Sequence, residues 1–404
     1  MGVSIPEGAK FERMVKAFEI MAAAKAGAMD LTDFRQIQSI VQRGLAPSYF
    51  SIGDQIVTTW NDGSNDYQLP WDVVAFRDVE TMEGDIVPGM FIQSHYALQG
   101  VQFDGNEAFY VPAAEMAAGV YYFTIGNNWG NNCVAGKIYE FTTTQKIPAG
   151  GQLVIGTASS NTSGLPDTAP ANWRVRTYST GAQETPTEIL TLTEVASSSG
   201  TDLGTLSSST VYGTSGINNM QRAAYGYNRW SQSAIRQYLN SAEAAGAWWQ
   251  QKNPFDHRPD QLASVRGFMA GLPAEFLSVV KPVKVVTALN TVTDAAIGAS
   301  EITYDRFFCA SLQEEFISPQ ANNVEGAAYP YWQERLGGVI HGQGTTRPEH
   351  IRYAYENHAS AQYVRLRSAN RGTAVSAWHV YSSGHATVGS ATTANRPAPA
   401  CVIC

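Results

Sequence analysis

Residues 363–404 read YVRLRSANRGTAVSAWHVYSSGHATVGSATTANRPAPACVIC and contain the pattern that decides the fold. Ser383 and Gly384 interrupt this stretch near its middle, with one short run on each side, at 376–382 and 385–391. Both runs alternate with a period of two residues. Such alternation on both sides of a Ser-Gly turn predicts a β-hairpin with one buried face and one exposed face.

The two faces of the predicted hairpin carry different side chains. Trp378 and Val380 share one face, which would be buried, while His379 and Tyr381 share the other, which would be exposed. Aromatic side chains offer a large contact area at a small loss of entropy. His379 and Tyr381 are therefore expected to be the main anchors for a ligand.

The charges are distributed unevenly along the chain. Beyond Glu356 the sequence contains four arginines and three histidines but no Asp, Glu or Lys. This composition predicts a mildly basic tip suited to acidic glycans or surfaces, although arginines that hydrogen-bond inside the core would give the same count. The net charge of the whole chain is −8, which argues against a nucleic-acid partner.

The totals favour a β-leaning protein of two or three domains. The chain has 404 residues, of which 44% are hydrophobic and 15% charged, and it contains 36 glycines. This length leaves room for several domains, and this composition disfavours a helical bundle. No apolar run of membrane-spanning length and no secretion-type start is visible, which predicts a protein made in a bacterial cytoplasm without a signal peptide and without membrane insertion.

The C-terminal stretch resembles the variable region of proteins diversified by diversity-generating retroelements, many of which come from gut phages. Such a region ends a C-type-lectin-like domain. The resemblance rests on the segments LRS at 366–368, AWHV at 377–380, SSGH at 382–385 and ANRPAPACVI at 394–403, supported by GDQI and PWDVV within 53–74 and by YNRWSQSAIRQYLNS at 227–241. It implies a constant framework between variable positions, a location on the virion, and assembly as a homotrimer.

The resemblance and the local patterns together predict an α+β fold. A discontinuous C-type-lectin-like domain would consist of residues 49–104 and 217–404, closed by a last strand at 396–403. Because Pro397 and Pro399 have no N–H to donate to a ladder, this strand would start late or run along an edge.

Residues 105–216 would form an inserted β-rich domain. Short strand patterns alternate there with Gly, Pro, Asn and Ser, which indicates a small β-sandwich or barrel. Residues 197–216 are rich in Ser, Thr and Gly and predict a linker back to the lectin-like domain. The expected strands are 120–125, 137–143, 152–155, 173–178 and 188–192.

Residues 1–48 predict a helical hairpin. Apolar residues recur at helical spacing between Phe11 and Met21, and a second stripe runs from Leu31 to Val41 with Asp30 as the N-cap. We interpret this segment as an anchor that oligomerises the protein or docks it on other virion proteins. The alternative is a helical element packed into the core.

Four further motifs have local structural interpretations. Asn61-Asp62-Gly63 predicts a hairpin turn rather than a calcium site. Residues 229–239 predict a helix with Ser231 as its cap. Asp256-His257 is expected in a surface loop, and Glu314-Glu315 at a solvated helix end.

No enzyme signature is found in the sequence: it lacks a G-x-S-x-G elbow, a Walker loop, an H-E-x-x-H motif and a G-x-G-x-x-G turn. The four cysteines are scattered, so no disulfide framework, cofactor or metal site is expected. Formylglycine-generating enzymes share the lectin-like superfold and use a cysteine pair near the end of the domain, so Cys401 and Cys404 leave an enzyme of this type as an alternative. A structural head-decoration protein without an essential ligand is another.

The sequence therefore predicts a bacteriophage virion adhesin, a fibre or tip protein that binds a host-surface protein or glycan reversibly. Strict alternation would bury Val388 unless the strand bends there. The expected framework is Trp378, Val380, Gly384, Gly389 and Pro397. The expected ligand contacts are Ala369, Arg371, Thr373, Val375, Ser376, His379, Tyr381, Ser383, His385, Thr387, Val388, Ser390, Thr392 and Thr393.

Overall fold

The computed structural model describes residues 33–160, 164–208, 213–294, 299–320 and 324–404. The helix predicted between Phe11 and Met21 lies outside these ranges. Within them the protein is mixed α+β, with many strands and a few short helices. No helix in these ranges is long and apolar enough to cross a bilayer.

The described elements alternate irregularly along the chain. The α-helices are α1 Phe34–Gln42, α2 Ala46–Tyr49, α3 Met220–Tyr225, α4 Ala234–Leu239, α5 Ala274–Val279 and α6 Pro330–Arg335. The strands are β1 Gln55–Asn61, β2 Asp66–Glu80, β3 Ile86–Ser94, β4 Tyr110–Val111, β5 Gly119–Ile125, β6 Ile138–Thr143, β7 Gln152–Thr157, β8 Trp173–Tyr178, β9 Glu188–Thr191, β10 Thr193–Val195, β11 Thr201–Leu206, β12 Gly216–Ile217, β13 Val283–Ala288, β14 Ser300–Asp305, β15 Phe307–Cys309, β16 Val364–Ala369, β17 Ser376–Val380, β18 Ala386–Ser390, β19 Arg396–Pro397 and β20 Pro399–Ile403.

One five-stranded sheet joins early and late parts of the chain, in the order β1-β2-β3-β20-β15. Strands β1 and β2 form the hairpin predicted around Asn61-Asp62-Gly63, where Gly63 has a φ of +108° that favours glycine. Strand β20 pairs with both β3 and β15. Of the two alternatives predicted for the last strand, the late start is the one found, at Pro399, and the strand lies inside the sheet and not at its edge.

Helix α1 packs into the largest apolar core through Ile37, Ile40 and Val41. Its N-cap is Asp33, whose Oδ1 accepts a hydrogen bond from the N–H of Arg35 at 2.9 Å. The sequence placed the cap at Asp30, which lies outside the described residues. This part of the predicted anchor is a packed element of the core.

The segment 105–216 contributes two sheets, ordered β10-β6-β5-β11 and β12-β4-β7-β8-β9, that share a second apolar core. Phe123 in the first sheet and Trp173 in the second are both buried there. Both sheets are open, so the described residues form no barrel. Strand β11 lies within residues 197–216, so the prediction of a linker there is wrong. The Ser/Thr/Gly composition suggested a linker, but Leu203 and Leu206 are buried in this core.

The predicted C-terminal hairpin is present in a four-stranded sheet of order β18-β17-β16-β19. Strands β17 and β18 pair in antiparallel register, with Trp378 opposite Val388 and His379 opposite Thr387. Strand β16 pairs with the other side of β17 and places Arg365 opposite His379. The hairpin is confirmed, and β18 forms an outer strand of this sheet. Its loop also includes Ser382 and is one residue longer than the predicted Ser383-Gly384 turn, since Val380 pairs with Ala386 and Tyr381 bonds to His385.

Helix α4 packs against β15 and differs from its prediction in its start. Ser233 is the N-cap, with its Oγ accepting a hydrogen bond from the N–H of Arg236 at 3.3 Å. The cap predicted at Ser231 is wrong because Trp230–Gln232 forms a separate 3-10 turn before the helix.

Candidate ligand-binding face

A tight turn closes the hairpin formed by β17 and β18. The N–H of Tyr381 donates to the carbonyl oxygen of His385 at 2.7 Å, and the N–H of Gly384 donates to that of Tyr381 at 2.8 Å. Gly384 has a φ of +88°, and a Cβ at this position would overlap the carbonyl oxygen of Arg347. Glycine is therefore required for both the backbone conformation and the close approach of the neighbouring loop.

Four rings meet beside this turn and are called here the aromatic cluster: Tyr363, His379, Tyr381 and His385. The ring centroids of Tyr363 and Tyr381 are 4.4 Å apart, and His385 stacks on Tyr381 at 4.8 Å. The Oγ of Ser383 lies 2.9 Å from Nδ1 of His385. Because Tyr363 and Tyr381 are 39% and 37% exposed, the cluster presents two supported aromatic rings to solvent.

His379 belongs to the cluster but not to its exposed part. It is only 7% exposed, so the predicted exposure of this residue is wrong. Burial, reinforced by the nearby Arg365, lowers the pKa of His379 to about 3 and keeps the imidazole neutral. Gly389 provides the space for this ring, since a Cβ there would lie 3.0 Å from its Cε1. Trp378 on the other face of β17 is 8% exposed, so the expected contrast between an exposed and a buried face is not found within this strand. Tyr363, which was not predicted as a contact, is instead exposed beside Tyr381.

The other predicted contact positions divide into buried and accessible ones. Ala369, Arg371 and Val375 are buried, so they were wrongly expected at the surface. Ala369 lies in β16, which is buried at every position. Val388 is 37% exposed despite the alternation, because it lies on the outer strand β18. The half-buried or exposed positions are Thr373, Ser376, Tyr381, Ser383, His385, Thr387, Val388, Ser390, Thr392 and Thr393.

The side chain of Arg365 holds the hairpin by binding main-chain carbonyl oxygens of both strands. This residue is buried in β16, and its guanidinium donates to the carbonyl oxygens of Ala377, Ser390 and Thr393, each at 3.0 Å. The three carbonyls belong to β17, to β18 and to the loop that follows. These bonds reach main-chain atoms, so they are compatible with different side chains at Ser390 and Thr393.

Asn228 anchors the loop that precedes β17 in the same way. Its Nδ2 donates to the carbonyl oxygens of Thr373 and Ser376 at 2.8 Å and of Asn370 at 3.2 Å. No role was predicted from the sequence for Asn228 or Arg365. A usable signal was their position within apolar segments, because a buried polar side chain needs hydrogen-bond partners.

The face does not have the basic character that the arginine count suggested. Arg365 and Arg367 are each 1% exposed, and Arg367 forms a two-pronged ion pair with Glu314. Arg396 pairs with Glu356 at 2.7 Å. The alternative of hydrogen-bonding core arginines accounts for this composition.

Two acidic motifs expected at the surface are instead buried. Glu314 and Glu315 are 4% and 2% exposed, and Oε1 of Glu315 accepts a hydrogen bond from Nε2 of Gln93 at 2.7 Å. Asp256 and His257 are also buried. Burial of such groups depends on partners from distant segments, which local sequence does not reveal.

The cysteine pair is poorly placed for thiolate chemistry. Cys401 and Cys404 are both buried, and burial raises the pKa of Cys401 well above its ordinary value and that of Cys404 to about 11. The thiols are therefore protonated at neutral pH, whereas a reactive cysteine requires the thiolate. Among the described residues, no group of three or more His, Cys, Asp or Glu side chains is arranged to hold a metal ion.

Comparisons with known proteins add one family relationship. Residues 193–403 match the family described as Domain of unknown function (DUF6273). No curated protein and no solved structure matches the chain. The matched region begins at Thr193, so it contains β10 and β11 in addition to the hairpin sheet and the last strand. Since this match covers more than half of the sequence, the chain belongs to the DUF6273 family.

Proposed function

We propose that this protein is an adhesin that binds a ligand on a cell surface through the aromatic cluster and the hydroxyl groups around it. The contact between Tyr363 and Tyr381, both more than a third exposed, is the observation that carries the proposal. Aromatic rings that are already fixed lose little entropy on binding and dominate many recognition surfaces. Ser383 and Thr387 add hydroxyl groups close to the rings.

The charge of the face supports an uncharged ligand. The arginines of this region are buried or paired, and no acidic residue follows Glu356. Ring stacking and neutral hydrogen bonds would then provide the affinity, in place of the acidic partner expected from the sequence. Binding should change less than about twofold between low and high salt, because screening acts on exposed charges.

The biological setting in this proposal follows from the resemblance to retroelement-diversified phage proteins. The chain would be a virion component with a C-type-lectin-like domain, and its exposed hairpin positions would vary between copies of the gene. The pairing of β20 with β3, which brings a late strand beside an early one, supports such a domain. Backbone anchoring by Arg365 and Asn228 supports variation, because it does not depend on the exposed side chains.

Each copy of this face is small, so a single site would bind weakly. A homotrimer would bring several faces to one surface and raise the apparent affinity by ~10²–10⁴. Other virion proteins would hold the assembly through the N-terminal segment.

The test measures binding of the purified full chain to a panel of intact gut bacteria by flow cytometry. The double variant Tyr363→Ala/Tyr381→Ala should reduce binding at least about hundredfold, since each anchoring ring contributes about 2 kcal/mol. Ile189→Ala is the matched control, because this exposed apolar residue lies on β9 in another sheet. Unchanged binding by the double variant would overturn the proposal, and no binding to any cell by the unmodified chain would favour a decoration protein.

A further inference from the structure

Three carboxylates surround one guanidinium in the interior of the protein. Asp104, Glu107 and Asp256 are 2%, 0% and 1% exposed, and Arg222 is 1% exposed. They come from the two ends of the segment 105–216 and from a loop far along the chain. The group therefore lies where this segment leaves and rejoins the rest of the protein.

The group contains three acidic side chains and one basic side chain, and its hydrogen bonds add no second positive charge. Arg222 pairs with Glu107 through two bonds, one of them from Nε to Oε2 at 2.8 Å. Oδ2 of Asp256 accepts from the backbone N–H groups of Lys252 and Asn253, at 2.7 and 2.9 Å, and its Oδ1 accepts from the side-chain amide of Asn253, and these donors are uncharged. One cation does not neutralise three carboxylates in an environment of low dielectric, so binding a proton at Asp104 or Asp256 is favoured over full ionisation of the group.

The other ionisable side chains that the structure describes next to this group do not bind its three carboxylates. His257 contacts Oε1 of Gln152 at 3.0 Å, and burial lowers its pKa to about 3, so it is neutral. Arg258 pairs with Glu184 at 3.4 Å. Tyr227 covers Arg222 at 3.4 Å from its ring centroid and donates its hydroxyl to Asp294.

Backbone atoms of Asp104 and of Tyr225, which shares helix α3 with Arg222, contact the loop that closes the candidate binding face. The N–H of Asp104 donates to the carbonyl oxygen of Ala391 at 3.1 Å, and the N–H of Thr392 donates to that of Tyr225 at 3.2 Å. The next carbonyl, that of Thr393, accepts a hydrogen bond from Arg365 at 3.0 Å. A shift of the backbone at the carboxylates would therefore also shift Ala391, Thr392 and Thr393, which lead to the hairpin.

We propose that Asp104, Glu107 and Asp256 around Arg222 form a proton-dependent joint that locks the loop 391–393 when a proton is bound and loosens it when the proton is lost. The proposal assigns regulation to the candidate face, and in that respect it rests on the proposed function. Mildly acidic conditions would then hold the face in its binding geometry.

The direction of the pH effect follows from burial. Desolvation, followed by repulsion from Asp256 and Glu107, raises the pKa of Asp104 well above its ordinary value. Desolvation, followed by Glu107, raises the pKa of Asp256 to about 7. A carboxyl whose pKa is higher in the folded state stabilises that state at low pH, and this contribution is lost as the pH rises from about 4 to about 7.

Hydrogen exchange of the full chain, measured by mass spectrometry between about pH 5 and pH 8 and corrected for intrinsic rates, tests the joint. Protection in peptides containing Asp104 and residues 391–393 should fall by up to about tenfold per pH unit and level off above about pH 7. Asp256→Asn and Asp104→Asn should each flatten this dependence, and the second variant serves if the first does not fold. Glu184→Gln, at an exposed carboxyl beside Arg258, should leave it unchanged.

Two results would overturn the proposal: protection of 391–393 that does not depend on pH in the unmodified chain, or a pH dependence that survives in both Asp256→Asn and Asp104→Asn. No ligand takes part in this measurement. The joint and the proposed binding function can therefore fail independently of each other.

Discussion

The side-chain amide of Asn228 donates a hydrogen bond to the carbonyl oxygen of Ser376 at 2.8 Å and thereby joins the segment before α4 to the first strand of the hairpin. Asn228 is fully buried, and its other bonds reach Thr373 and Asn370. The loop before the hairpin is thus fixed by one side-chain amide whose Nδ2 donates to main-chain oxygens, while its Oδ1 accepts a hydrogen bond from Nδ2 of Asn290 at 3.0 Å.

Asn228→Ala should lower the free energy of unfolding by about 2–4 kcal/mol, because it removes three hydrogen bonds to partly buried carbonyl oxygens and takes away one acceptor of the buried Asn290 amide. Urea denaturation followed by circular dichroism measures this change. Asn131→Ala, at an exposed asparagine, is the control and should change the stability by less than about 0.5 kcal/mol. A cost for Asn228→Ala as small as that of the control would contradict the anchoring role.

Arg365→Lys should destabilise the protein by about 2–4 kcal/mol although it keeps the positive charge. The planar guanidinium reaches carbonyls on two strands and a loop at once, and an ammonium group cannot reproduce that geometry. Thermal unfolding of Arg365→Lys and Arg396→Lys makes the comparison, since Arg396 is partly exposed and paired with Glu356. The second change should cost less than about 1 kcal/mol, and equal costs would show that Arg365 acts only through its charge.

Substitutions at buried positions of β17 and at the exposed Tyr381 directly after it should separate stability from binding. Trp378→Ala should cost about 3–5 kcal/mol because this ring is buried in the main core. Tyr381→Ala should leave the unfolding temperature nearly unchanged while it weakens cell binding. His379→Ala should resemble Trp378→Ala in its direction, since His379 is also buried. Loss of stability in Tyr381→Ala as large as in Trp378→Ala would contradict the face assignment.

Cys401 and Cys404 should react slowly with iodoacetamide in the native protein at about pH 8. Burial limits access to both thiols, and their raised pKa values leave little thiolate. Labelling should be at least about a hundredfold slower than in the denatured chain, which provides the reference for full exposure. Rapid labelling of either thiol in the folded state would restore the formylglycine-type enzyme as a candidate.

Local signals sufficed for the hairpin. The register, in which Val380 pairs with Ala386 around a loop that also includes Ser382, did not follow from them, but the turn residues Ser383 and Gly384 and the alternation on both sides indicated the turn and both strands. The same holds for Asn61-Asp62-Gly63, where the turn chemistry is contained in three adjacent residues. The mixed α+β class also followed from such patterns.

Burial that depends on distant segments could not be derived in this way. His379 alternates as an exposed residue would, yet Tyr363, which directly precedes β16, packs against it. Asp256 looks like a loop residue, yet Glu107 and Arg222 enclose it from segments more than a hundred residues and about thirty residues away. The exposed residues of the candidate face were therefore predicted more successfully than the buried residues that hold them in place.

The most direct test of the binding face is a sorted library of the full chain in which Thr387, Val388, Ser390 and Thr393 are randomised together. Variants are selected first for protease resistance, which reports folding, and then for binding to intact bacteria. We expect most members to remain folded while the set of cells bound changes between members. A library whose folded members all bind the same cells as the unmodified chain, with the same strength, would contradict the proposal that this face recognises the ligand.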